Sequence, residues 1–472
     1  MFKKILVSNR GEIALRIVRA CKEMKISAVT IHSEADRYAL YVKRASQSHC
    51  LSTKPLEAYL NGHRIIECAK AAGCDAIHPG YGFLSENADF AAACEQAGIV
   101  FIGPSAAVIA TMGSKVAARK AMIKANIPVI PGSEDNLASI DEAIACAEQL
   151  GYPVMLKATF GGGGRGIRLC HDANQVRNQY ARVQSEAGKA FGDTHLFMEK
   201  FISNPRHIEV QILADNYGKV LHLFERDCSI QRRHQKLVEV APSPLLDDKT
   251  REILYEYAVR AATAVGYTNA GTVEFILGED NQMYFLEMNT RLQVEHPVTE
   301  QITGIDLVQQ QILIAAGEKL PMTQEQITRR GFAIEFRINA EDPQNDFLPS
   351  FGRITRYYAP GGPGVRTDSA IYTGYTIPPD YDSLCAKLTV WSLDWPSVLR
   401  RAARALEEMR LFGVKTTISY YLEMLKSEEF QQGLLTTTLI DRHPEWLRYS
   451  NKSLPQHKAA VIAAAIATYN QN

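Results

Sequence analysis

The sequence predicts a mixed α/β and α+β fold: an N-terminal lobe on an open parallel sheet, a small mobile lid, a central antiparallel sheet and a β-rich C-terminal lobe. Three observations carry this expectation. The chain opens as strand, tight turn and helix, and repeats that alternation to about residue 104; a glycine-rich turn at 161–166 lies between two strand candidates; and residues 208–288 hold four alternating strands near two long helical stretches.

In the first lobe, an apolar run from Lys4 to Ser8 ends at Asn9, Arg10 and Gly11, after which Ile13, Ile17, Ala20 and Cys21 recur at helical spacing. Ala28 to His32, Ala76 to Ile77 and Ile99 to Ile102 supply further strands of an open parallel sheet. The lid follows, with Val154 to Ala158 and Ile167 to Cys170 flanking the glycines. Ile208 to Leu213, Val220 to Arg226, Gly271 to Leu277 and Met283 to Met288 form the antiparallel set. Beyond Arg330, turn signals at Asp342-Pro343, Pro360 to Gly362 and Pro378-Pro379 mark a β-rich third lobe that becomes helical from Pro396. The length of 472 residues suits about three domains, expected at 1–113, 114–330 with the lid at about 132–201, and 331–445, before a C-terminal helical tail at 446–472 that is Ala-rich from Lys458 to Thr468.

The composition narrows the function. With 46% hydrophobic and 22% charged residues the chain reads as globular, and no apolar run reaches the ~18 residues of a membrane span. The 52 basic and 52 acidic side chains cancel, so an anion site must come from local clustering, and a general nucleic-acid binder is disfavoured. Nine scattered cysteines without a C-x-x-C pair, and no apolar leader, fit a reducing cytoplasm.

Four consecutive glycines, including Gly162, Gly163 and Gly164, expose successive N–H groups with no Cβ in the way, which suits a flap over a triphosphate. A structural hairpin and a dinucleotide turn are the alternatives; the latter belongs in a first βα unit, and here the turn lies between two strands. A P-loop around Gly113, Ser114 and Lys115 fails for want of a glycine at the required spacing before it. Lys115 and Lys157 therefore depend on company from elsewhere. Glu274, Glu287 and Asn289 lie on strand-like segments and offer hard oxygen ligands suited to magnesium, although a surface ladder of polar groups is the plain alternative. Alternation from Arg291 through Gln293 to Glu295 sets a guanidinium, an amide and a carboxylate in one row. A guanidinium fork holds a planar oxyanion such as bicarbonate, and Glu295 is the candidate general base. In the segment 225–236, ten of twelve residues are polar or charged, too many for a buried strand; its Lys236 and His234 suit phosphate contacts, and Cys228 reads as a packed small side chain.

Six segments then resemble the biotin carboxylases of the ATP-grasp superfamily: SNRGEIALRI at 8–17, HPGYGFLSEN at 78–87, GGGGRG at 161–166, ERDCSIQRRHQK at 225–236, EMNTRLQVEHPVTE at 287–300 and RINAEDP at 337–343. The resemblance covers about residues 2 to 445. It implies ATP contacts from Lys115, Lys157, the flap glycines, Glu199, Lys200, Ile202, His207, Gln231, His234, Glu274 and Glu287. Magnesium or manganese falls to Glu274, Glu287 and Asn289, and bicarbonate to Arg291, Gln293, Val294 and Glu295. It further implies Tyr81 and Arg337 for biotin, with Glu295, Arg337, Lys236 and Arg291 as the catalytic set. Phe160 and Pro363 depart from some members, while Arg19, Glu23 and Arg366 match dimer contacts, so a homodimer is expected. The one carrier-like tetrapeptide, Glu23 to Ile26, lies in the first predicted helix, and Lys25 reads as a surface residue. The expected partners are therefore a separate biotin carboxyl carrier protein and a carboxyltransferase subunit of a pyruvate or acetyl-CoA carboxylase, with pyruvate favoured. A carboxylate-amine ligase of the same superfamily is the alternative.

Overall fold

The computed structural model describes residues 1–159, 166–279 and 281–449. In the N-terminal lobe, β1 (Lys4–Val7), β2 (Ser27–Ser33), β3 (Gln47–Ser52), β4 (Ala76–His78) and β5 (Val100–Phe101) form a five-stranded parallel sheet in the order β3-β2-β1-β4-β5. Side chains alternate across β1, so Ile5 and Val7 enter the core under helix Gly11–Glu23, whereas Leu6 enters a second core with Val29, Ile31, Tyr59 and Ile65. Both faces are covered, which explains an uninterrupted apolar run. The sequence pattern missed β3 because QSHCLS lies at the sheet edge and is largely exposed.

The lid holds β6 (Val154–Ala158), β7 (Ile167–Cys170) and β8 (Leu196–Lys200) in the antiparallel order β7-β6-β8. Helices Ile140–Leu150 and Ala173–Phe191 pack on one face and enclose a core of Val154, Leu156, Val176, Val183 and Met198. The flap residues Gly162, Gly163 and Gly164, like Phe160 and the tail from 450 onward, lie outside the described residues.

Six strands bring the polar motifs together: β9 (Arg206–Ala214), β10 (Val220–Arg232), β11 (Gln235–Ala241), β12 (Asn269–Leu277), β13 (Met283–Asn289) and β14 (Phe332–Asn339). They stand in the order β13-β12-β9-β10-β11-β14, and strands Leu384–Ser392 and Val365–Ser369 extend the same sheet. The C-terminal strands thus continue the central sheet. Alternation along β14 buries Ile334, Phe336 and Ile338 against helix Trp395–Glu408, each worth about 2 kcal/mol of burial. Glu335 and Arg337 face the opposite way.

Two expectations are corrected. Residues 225–232 belong to β10, and Glu225, Arg226, Asp227 and Ser229 are fully or almost fully buried. The polar strand is tolerated because its charges neutralise one another internally: Arg226 reaches Glu209, Gln211, Thr272 and Thr299, Glu225 accepts from Arg251, and Asp227 accepts from Arg206. Removing one partner of such a cluster costs about 3–5 kcal/mol. The row 291–295 is not a strand: β13 ends at Asn289, and Glu295 is the N-cap of helix His296–Thr303, where Pro297 occupies the first turn. Lys25 is exposed, just beyond the first helix.

Candidate functional site

The sheet register assembles the site. Glu209 of β9 pairs with Glu274 of β12, which pairs with Glu287 of β13, so three carboxylates stand side by side. Like charges at that spacing repel unless a cation intervenes. Lys236 of β11 supplies it for Glu209 and Glu274 and reaches a further acid, Glu295: its Nζ donates to Glu209 Oε2 at 2.6 Å, Glu274 Oε1 at 2.9 Å and Glu295 Oε1 at 2.7 Å. Burial opposes the ammonium charge, but the three acids outweigh it and hold the Lys236 pKa well above its ordinary value. Burial alone would raise Glu274, yet Lys236 and His207, whose Nε2 lies 2.6 Å from Glu274 Oε2, bring it well below the carboxylate range. His207, Glu209 and Glu274 have ligand atoms close enough to share an ion. The ammonium already fills that role for Glu209 and Glu274.

Asn289 donates its Nδ2 to Glu274 Oε1 at 2.8 Å, while its Oδ1 accepts from Arg291 Nη2 at 3.1 Å. Glu287 Oε2 faces Lys115 Nζ at 3.4 Å. Glu274 and Glu287 are register partners on β12 and β13 and Asn289 lies two residues beyond Glu287, an oxygen-donor set whose chemistry fits magnesium, although here the Asn289 amide turns its nitrogen to Glu274 and its oxygen to Arg291.

Although 291–295 leave the strand, their side chains converge. Arg291 donates to Gln293 Oε1 at 2.9 Å, and Gln293 Nε2 donates to Glu274 Oε1 at 3.0 Å. Glu295 is fully buried; its Oε2 accepts from Arg337 Nη2 at 2.9 Å, opposite the oxygen taken by Lys236. Burial would raise this carboxyl, but Lys236 and Arg337 pull it below its usual range, so it is ionised at neutral pH. Arg337 also binds Glu239, which burial pushes up to about 7. Cys228 is fully buried, 4.0 Å from Glu295 Oε1, and burial raises its thiol well above the ordinary value. That fits the packed role expected of it.

The other residues expected at the nucleotide are placed as follows. Gln231 Nε2 lies 2.8 Å from His207 Nδ1, and exposed His234 adopts a positive φ of 62° in the turn between β10 and β11. On the lid, the buried Lys157 pairs with Glu199. The Lys200 ammonium turns away, donating to the carbonyls of Gly151 and Tyr152 at 2.7 and 3.2 Å, and half-buried Ile202 follows the end of β8. Tyr81 donates to Glu12.

Four partners have no assignment from the sequence pattern. Glu86 accepts from Arg291 Nε at 2.7 Å and from the Thr290 N–H at 3.1 Å; it lies in the HPGYGFLSEN segment and was legible there as an unassigned acid. Glu209 and Glu239 occupy polar positions inside apolar strands, a signal that flags them without naming their partners. Lys387 likewise sits within Leu384–Ser392, among buried neighbours.

Comparison with known proteins agrees with this geometry. Residues 1–109 match the family described as biotin carboxylase, N-terminal domain, residues 114–323 the ATP-binding domain of the carbamoyl-phosphate synthase L chain, and residues 335–442 the biotin carboxylase C-terminal domain. The chain is 50% identical over 470 residues to the 2-oxoglutarate carboxylase small subunit of Hydrogenobacter thermophilus, covering 100% of both chains. It is 48% identical over 486 residues to a pyruvate carboxylase subunit of Methanothermobacter thermautotrophicus, covering 99% of each. A crystal structure of the biotin carboxylase domain dimer of the Hydrogenobacter enzyme, with MgADP, ADP and bicarbonate, superposes with a TM-score of 0.94 at 51% identity, over 96% of this chain and 100% of that one. The chain therefore belongs to the biotin carboxylase family of ATP-grasp enzymes.

Proposed function

We propose that this chain uses ATP and bicarbonate to carboxylate biotin presented by a separate carrier protein, as one subunit of a carboxylase whose final acceptor is a 2-oxo acid. The observation that carries the reading is the Glu295 carboxylate, held between Lys236 and Arg337, with Lys236 also bound to Glu274, the register partner of Glu287. The acceptor class rests on the two full-length relatives, which are subunits of carboxylases named for 2-oxo acids.

In this reading Lys115, Lys157, Gln231, His234 and the flap glycines hold the nucleotide, with Glu199, Lys200, Ile202 and His207 along its cleft. Glu274, Glu287 and Asn289 hold magnesium, which when bound neutralises phosphate charge. Arg291, Gln293 and Val294 seat bicarbonate. Glu295 accepts its proton as the bicarbonate oxygen attacks the γ-phosphorus, forming carboxyphosphate and releasing ADP. Carboxyphosphate breaks down to CO2 and phosphate; the phosphate takes the proton from biotin N1′, and that nitrogen attacks CO2. Arg337 stabilises the biotin enolate oxygen, and Tyr81 flanks the ring. Such preorganised charge at a developing oxyanion is worth a factor of about 100 to 1000.

We read the working units as 1–113, 114–330 and 331–445; an apolar core within the N-terminal lobe and another within the lid support the reading, while two larger cores cross the boundaries and join neighbouring units. Homodimerisation through the face bearing Arg19, Glu23 and Arg366 belongs to the same proposal, supported by the dimer of the Hydrogenobacter structure and by the exposure of Arg19 and Glu23. A carboxyltransferase subunit completes the assembly. Among the described residues no helix is long and apolar enough to cross a membrane.

The test is transfer of label. The protein, incubated with ATP, magnesium, radiolabelled bicarbonate and free biotin, should yield acid-labile label on biotin. Label that appears on an amine substrate instead, with none on biotin, would move the chain to the carboxylate-amine ligases.

A further inference from the structure

Lys387 has no role in the scheme above, yet its ammonium is fully buried. Leaving such a charge inside a protein is costly unless it is compensated. It sits on strand Leu384–Ser392 as the register partner of Arg337, so the two cations share one face of the sheet. They grip consecutive residues of one loop. Arg337 binds the Glu295 side chain at 2.9 Å, and Lys387 Nζ donates to the Val294 carbonyl at 2.7 Å.

A trans peptide points its C=O and the following N–H in opposite directions. Anchoring the Val294 oxygen therefore fixes the Glu295 N–H on the far side of that peptide plane. Among the described residues neither the Val294 nor the Glu295 N–H has a hydrogen-bond partner. Among them, too, Lys387 makes the one hydrogen bond that holds the Val294–Glu295 peptide group.

The same ammonium reaches toward the biotin side. It lies 3.2 Å from Glu12 Oε1 and 5.8 Å from the centroid of the Tyr81 ring, and Tyr81 donates to that same Glu12. Asp368 is its register partner on the outer strand, with Glu335 nearby on β14. Burial disfavours the charge, but Glu12, Glu335 and Asp368 keep the lysine protonated.

Building on the bicarbonate assignment under the proposed function, we propose that Lys387 is a positioning residue for the bicarbonate step: it fixes the Val294–Glu295 peptide so that both residues meet the anion in one orientation. The competing role is plain neutralisation of Glu12. The two differ in what a charge-balanced replacement restores.

Lys387→Met keeps the length of the side chain but removes the ammonium. Lys387→Met with Glu12→Gln also removes the acid that the ammonium faces, while the amide oxygen still accepts from Tyr81. Steady-state ATP cleavage should show the KM for bicarbonate raised on the order of tenfold or more in both variants, the size expected for one charge-assisted hydrogen bond. The KM for ATP should stay within about twofold of the parent, because no nucleotide residue is touched. Return of the bicarbonate KM to the parent value in the double variant, equal changes in both KM values, or failure of both variants to fold would each overturn the proposal and assign Lys387 to the scaffold. If the unsubstituted protein lacks bicarbonate-dependent ATP cleavage, the underlying function falls instead, and this inference with it.

Discussion

The Lys236 ammonium lies 2.7 Å from Glu295 Oε1 and, through the same nitrogen, 2.9 Å from Glu274 Oε1. One side chain thus joins the acids assigned to metal and nucleotide to the carboxylate assigned to bicarbonate. The two halves of the site share a single electrostatic cluster, in which changing one charge is felt by the others.

Glu295→Gln keeps the shape and removes the base. Bicarbonate-dependent ATP cleavage should fall about 100- to 10,000-fold, the usual contribution of a positioned general base, while nucleotide affinity changes little. Stopped-flow or steady-state kinetics with a nucleotide-binding control would check this. A loss smaller than about fivefold would take the base role away from Glu295.

Arg337→Ala should abolish transfer of the carboxyl group to biotin while ATP still binds. The physical reason is that Arg337 binds Glu239 and Glu295 and, among the described residues, no side chain assigned to the nucleotide. Calorimetric titration with ADP and magnesium measures the binding, and loss of nucleotide affinity would contradict the assignment.

Glu274→Gln should raise the magnesium concentration needed for half-maximal activity on the order of tenfold or more, because one charged oxygen ligand becomes neutral. Lys236 would also lose one of its three acids. An unchanged magnesium dependence would remove Glu274 from the ligand set.

His222 carries a pH prediction. Its ring stacks on Tyr255 at 4.2 Å, and burial pushes its pKa down to about 4 from the ordinary 6.5. Between those values the unfolded chain binds a proton that the folded chain refuses, so stability falls as pH drops from 6.5 toward 4. His222→Phe should lessen that fall by up to about one proton in slope, measured as urea midpoints near neutrality and near pH 5. An unaltered slope would contradict the assignment.

Much of this arrangement was legible in the amino-acid pattern, and the exceptions share a cause. The first strand and helix announced themselves because Ile5, Val7, Ile13 and Ile17 are apolar at the right periods. Strand β3 did not, since an exposed edge needs no apolar face. Burial of Arg226 was illegible because its neutralising partner Glu209 and its further acceptors Gln211 and Thr299 come from other segments that only the fold brings together. The acids expected at the metal and the Arg291 to Glu295 row were found as motifs. Their common link through Lys236, and the contacts of Glu86, Glu239 and Lys387, are long-range and have no local signature.

The most direct measurement is the rate of ATP hydrolysis by the purified chain with magnesium and bicarbonate, with and without free biotin. Hydrolysis should require bicarbonate and rise when biotin is added, and Glu295→Gln should remove both effects. Hydrolysis indifferent to bicarbonate, or indifferent to biotin in a preparation that otherwise cleaves ATP, would contradict biotin carboxylation by this site.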